Sequence, residues 1–80
     1  MNYIEKIKAI NQIFSEMQRQ DLVEEITKLQ LSGGTGGEVL ISVCSALIKL
    51  QKREPKVYDA VSNKTDELIK YSNSIGLFPE

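Results

Sequence analysis

The sequence predicts an all-α fold: a compact, four-helix-bundle-like single domain over residues 1–80. Three observations carry that prediction. Apolar residues recur at helical spacing in the first and last segments. Four of the five glycines crowd into residues 33–37, between two apolar segments. Pro55 and Gly76 bracket the last segment, at the start and stop positions that helices favour.

The first helix is expected from residue 2 to about 19. Tyr3, Ile7, Ile10, Phe14 and Met17 fall in 4-3-4-3 steps, and Ile4 and Ile13 widen the stripe. Glu5, Lys6, Lys8, Asn11, Gln12, Glu16 and Gln18 make the wet face. The stripe also suits a coiled-coil seam between two copies, but it lasts barely two heptads, fewer than such a seam usually needs. Asp21 with Glu24 has the form of an N-cap and its capping-box partner, opening a second helix. Leu22, Val23, Ile26 and Leu29 give that helix an apolar face ending near Leu31. Whether the chain breaks or bends at Gln20 stays open.

Gly33 or Gly34 suits the left-handed conformation that ends a helix, and Thr35 with Glu38 forms a capping box for the next. Gly36 and Gly37 would let another backbone approach closely. The third helix, from 36 to about 53, is apolar around most of its girth. Its polar positions, Glu38, Ser42, Ser45, Lys49 and Lys52 or Arg53, lie on one narrow stripe. A helix wet along a single line is the central helix of a bundle. Val39, Ile41 and Val43 would suit a buried strand, but length without a breaker and C-terminal cations favour the helix. Pro55 starts the fourth helix, which carries Val57, Val61, Leu68 and Ile75 at helical spacing. Residues 62–67 are its weak part, exposing a face or splitting the helix, with Thr65 restarting it. Gly76 stops it, and Leu77, Phe78 and Pro79 form a tail folded back on the bundle.

Composition limits the chemistry. With 80 residues, 41% of them hydrophobic, the chain fills one small core and no second domain. There is no His, no Trp and a single Cys, Cys44, so neither a zinc site nor an internal disulfide is expected. Cys44 sits in an apolar run with no cationic neighbour close by and reads as a small buried hydrophobe. No catalytic centre, metal or cofactor is expected, and an enzyme reading finds no paired nucleophile and base. The formal charge of −1 favours no polyanionic partner. Neither a membrane span nor a secretory leader is expected, and a reducing cytoplasm fits best.

Two motifs invite functional readings. A Gly-rich loop at a helix start can cradle phosphate, but no Lys follows and Glu38 would repel an anion. A DNA-binding helix-turn-helix wants a shorter turn and a less apolar second helix. Lys49, Lys52, Arg53 and Lys56 cluster around the third connection, so a nucleic-acid regulator is the alternative function. Glu16, Asp21, Glu24 and Glu25, diluted by Arg19, make an acidic neighbourhood around the first turn of the second helix that could steer a basic protein partner, with Glu38 a further candidate contact.

At Gly34-Thr35-Gly36-Gly37-Glu38, followed by Val39-Leu40-Ile41, the chain resembles small, mostly helical bacterial immunity proteins of toxin-based competition systems. The match covers about a dozen residues, and those after Ile41 depart from the aromatic and basic run of that pattern. The resemblance implies a protein that binds one toxin domain tightly and performs no chemistry. It assigns no individual contact residue. The expected function is therefore a non-enzymatic protein-binding module. Asp21, Glu24, Glu25 and Glu38 are its candidate contacts, and homodimerisation through the first helix is the structural alternative.

Overall fold

The structure, a computed structural model, describes residues 2–32 and 34–79. It is all-α, with no strand among the described residues. The order is α1 (Tyr3–Glu16), α2 (Gln20–Leu31), α3 (Gly36–Arg53), α4 (Pro55–Asp59) and α5 (Ser62–Ser74). The four long helices close a ring in which α1 packs on α2 and α5, and α3 packs on α2 and α5. The short α4 bridges α3 to α5. Two opposite poles follow from the contacts. At one, the Tyr3 hydroxyl reaches the Gly36 carbonyl, joining the starts of α1 and α3. At the other, Arg19 bonds Glu54, joining the turn after α1 to the end of α3. The body measures 32 × 22 × 21 Å, and the 18 residues of α3 span about 27 Å of it at the α-helical rise.

The core is built from the predicted stripes. Ile7, Ile10 and Phe14 of α1 meet Leu22 and Ile26 of α2, and Leu40, Val43, Cys44, Leu47 and Leu50 of α3. Tyr58, Val61 and Leu68 close it from α4 and α5. The first stripe is narrower than its apolar residues suggest: Ile4 of α1 is 50% exposed, and Met17, the C-cap residue, lies on the surface.

The first connection differs from the expected one. The second helix does not open at an Asp21 cap. Arg19 occupies the N-cap position of α2 without a side-chain cap bond, and Asp21 lies inside the first turn. Its carboxylate faces Arg19 instead, at 3.0 and 2.9 Å from two guanidinium nitrogens. The break itself is a helix-ending motif on α1. The Arg19 N–H donates to the Phe14 carbonyl at 2.8 Å and the Gln18 N–H to Ser15 at 3.0 Å. Gln18 sits between them at φ +62°. That pair of bonds normally places glycine at the left-handed position, because a Cβ there crowds the following carbonyl. Gln18→Gly should therefore stabilise the fold by up to about 1 kcal/mol, the relief of strain less the added freedom of the unfolded glycine. A chemical-denaturation midpoint that moves the other way would show that the Gln18 side chain contributes more than its backbone costs.

The second connection follows its prediction in part. Thr35 caps α3, its hydroxyl accepting from the Glu38 N–H at 3.2 Å. Gly34 holds φ +109°. Gly33, the other candidate for that conformation, lies outside the described residues. Side chains rather than a backbone come up to the next two glycines: the Tyr3 hydroxyl to Gly36 and the Leu77 side chain to Gly37.

The fourth expected helix is split, at Ala60–Val61 rather than at Thr65. There the N–H groups of Ala60 and Val61 donate three residues back, to Val57 and Tyr58. Thr65 restarts nothing; it is fully buried inside α5, and its hydroxyl has no hydrogen-bond partner among the described residues. Gly76, at φ +84°, ends α5 with the same bond pair as α1: Gly76 to Asn73 and Leu77 to Ser72. The tail does fold back. The buried Ser72 hydroxyl donates to the Leu77 carbonyl at 2.8 Å, and Leu77 packs on the core while Phe78 stays 71% exposed.

Candidate functional site: an open groove between the second and third helices

α3 turns Leu40, Val43, Cys44, Leu47 and Leu50 inward. The opposite side, which carries most of the polar stripe read from the sequence, is only partly covered by α2. The result is an open groove of about 400 Å³. Its apolar lining comes from Leu29 of α2 and from Ile41 and Ala46 of α3. Ser42 and Ser45 add two hydroxyls from α3. The charged lining is divided, with Glu25 on α2 and Lys49 and Arg53 one turn apart near the end of α3. Leu29, Ile41 and Ala46 are half-buried, and Leu29 and Ala46 also pack against the core.

The cations are largely uncommitted. Lys49 is exposed and has no ion pair among the described residues. Arg53 has one long contact, 3.9 Å from Nε to a Glu54 carboxylate oxygen. That carboxylate is already held by Arg19, whose two terminal nitrogens lie at 2.7 and 2.9 Å from its oxygens. Lys52 and Lys56, also exposed, continue the basic run around the α3–α4 connection.

The four acids singled out from the sequence do not form one patch. Asp21 is committed to Arg19 at the ionic pole. Glu24 is exposed on α2 and does not line the groove. Glu25 does line it. Glu38 stands at the other pole, in the first turn of α3, where its carboxylate lies over Gly34. The apolar lining, the two serines and the role of Lys49 and Arg53 as a groove edge were missed as a site. Their sequence signal was the narrow polar stripe on α3.

The ionic pole is a structural clamp. Arg19 holds the Glu54 and Asp21 carboxyls below their ordinary values by hydrogen bonding first and charge second. The same bonds hold the guanidinium proton more tightly. Carboxyls with depressed native pKa values add stability that is complete above the unfolded pKa and disappears as pH falls through the native one. The melting temperature should accordingly begin to fall below about pH 4.5, the ordinary value for Glu54. An Arg19→Met variant should start lower at neutral pH and lose less on acidification. Parallel acid limbs in the two proteins would show that other carboxyls set the dependence.

Cys44 is fully buried, and desolvation pushes its thiol up to about 11. At neutral pH it is a protonated core side chain, unsuited to attack or metal binding. Four other large apolar side chains are at least half exposed: Ile4 near the start of α1, Leu31 at the end of α2, and Ile75 and Phe78 after α5. The rings of Tyr3 and Tyr71 stack at 6.1 Å. Among the described residues, no helix is long and apolar enough to cross a membrane.

Fold and groove together define a small all-α domain with an open, charge-edged cleft on one flank. Comparison with known proteins returns no matching family model, no matching curated protein and no matching solved structure.

Proposed function

We propose that this chain is a non-enzymatic module that binds another protein across the α2–α3 groove and acts by covering that partner's working surface. The observation that carries the reading is the groove itself: apolar lining and small side chains on two helices, edged by charges that have little or no ionic pairing among the described residues. An interface of this kind combines a partly dehydrated apolar centre with a polar rim that sets orientation and specificity. Its walls are helical backbone, which limits the conformational entropy lost on docking. A toxin-neutralising immunity protein of a bacterial cytoplasm is the finer form of the proposal. The likeness around Gly34–Ile41 supports it, and occlusion would be its mechanism.

A photo-reactive amino acid placed at Ser45, inside the groove, tests the reading in the native host. Ser45 should give one discrete adduct, and the same group at Asn63, exposed on α5, should give none. Absence of an adduct at Ser45, or equal labelling at both positions, would overturn it. For the finer form, a toxin-like reading frame beside this gene should stop growth when expressed alone and permit growth when this chain is co-expressed. Continued arrest would remove the immunity role.

A further inference from the structure

Resting on the docking reading above, we infer that the occupant of the α2–α3 groove is an amphipathic helix of another protein, with acidic side chains that meet Lys49 and Arg53. Shape argues for a helix. The α3 lining runs from Ile41 to Arg53, about 18 Å at the α-helical rise, long enough to take three turns of a partner. Ser42, Ser45 and Ala46 are the smallest side chains of that lining, and small contact residues let helix axes approach to about 8 Å. A third helix laid over α2 and α3 would cover Leu29, Ile41 and Ala46 much as the bundle covers its own interior.

Charge selects the partner's chemistry. Lys49 has no counter-ion among the described residues, and Arg53 has only a distant share of a carboxylate that Arg19 already holds. The two lie four residues apart, on the same side of α3. Acids on successive turns of the incoming helix would complete both. Glu25, on the α2 side, sets the opposite demand and excludes an acid at that point, which fixes the partner's direction. Nucleic acid fits less well, because phosphates would meet the cations but leave Leu29, Ile41 and Ala46 uncovered. The whole chain carries a charge of −1, so selection is local to the groove and not driven by the overall field.

The test titrates isotope-labelled full-length chain with synthetic helical peptides at low salt. All share one leucine stripe and differ only in whether Glu, Lys or Gln flanks it; a DNA duplex is titrated alongside. Amide shifts should concentrate on Glu25, Leu29 and residues 41–53, with the Glu-flanked peptide binding about tenfold more tightly than the Lys-flanked one, the size expected of two exposed ion pairs. A Lys49→Glu/Arg53→Glu variant, checked by its melting curve, should reverse the order. Equal affinity for all flanking charges, shifts confined to another face, or tighter, steeply salt-dependent binding of the duplex would each overturn the inference. The docking reading fails separately. A Ser45 cross-link without peptide binding rejects only the acidic helical occupant, whereas loss of the cross-link as well rejects both.

Discussion

Phe14→Ala is expected to lower the melting temperature by about 15–30 °C, corresponding to a loss of about 3–5 kcal/mol in a domain of this size. Phe14 is fully buried and is the largest such side chain in the core. Truncation removes its transfer energy and leaves a void that surrounding helices fill only in part. Its position adds a second cost. The Phe14 carbonyl accepts the Arg19 N–H that ends α1, so movement of this turn also disturbs the arginine clamping α2 to the end of α3. A chain of this length has only about 4–12 kcal/mol in total, so the variant loses a large fraction of the fold's stability. Thermal unfolding followed by circular dichroism measures the effect, with Met17→Ala as the control. Met17, the C-cap of the same helix, is exposed, and its truncation should shift the transition by only a few degrees. Equal shifts in the two variants would mean that the core is not organised around Phe14.

The sequence made some of this architecture legible and concealed the rest for identifiable reasons. α1 and α5 end in the same hydrogen-bonded motif, yet only one end could be read. Gly76 supplies the left-handed residue of α5, and glycine announces that conformation. In α1 the position is filled by Gln18, whose side chain carries no such signal, so the break before α2 stayed ambiguous. The split between α4 and α5 was misplaced for a different reason. Tyr58, Val61, Thr65, Leu68 and Ser72 are all buried and keep alternating steps of three and four straight through the break. Periodicity reports which side faces the core and is indifferent to one tightened turn. Asp21 and Glu24 have the spacing of a cap and its partner, but spacing reports only residue types, and Arg19 engages the Asp21 carboxylate through two hydrogen bonds.

The candidate site shows the same division. The stripe of Ser42, Ser45 and Lys49 was visible as a line along α3, because a helix places side chains by arithmetic. That α2 would pass beside this line without covering it depends on how the whole ring closes. Glu24 and Glu25 are neighbours of one type in the sequence, and only the packing distinguishes the one that reaches the groove. The acids at 21 and 38 shared a sign without sharing a surface, being held at opposite poles.

The largest functional effect should come from Ala46→Glu, which is expected to weaken partner binding by at least about a hundredfold, the loss typical of spoiling the centre of an interface. Ala46 is half-buried in the groove lining, between Ser45 and the cations of the α3 bank. A glutamate there fills space that a docking helix would occupy. Its carboxylate also stands three residues before Lys49, where it can pair with the lysine along the helix. The substitution thus obstructs the apolar contact and supplies internally the charge that the partner was to bring. The fold should tolerate it, because glutamate is a good helix former and its carboxylate can reach water from an open groove. Two measurements separate the outcomes. The melting temperature should stay within a few degrees of the parent, while the photo-cross-link from Ser45 disappears. Ser45→Ala, which changes one hydroxyl and no volume to speak of, should leave binding within about threefold, in keeping with the weak effect of a single exposed neutral hydrogen bond. If Ala46→Glu binds the partner as the parent does while folding normally, the working surface lies elsewhere. The exposed side chains of Ile4, Leu31, Ile75 and Phe78 would then be the ones to probe, by the same pairing of a bulky acidic substitution with a melting curve.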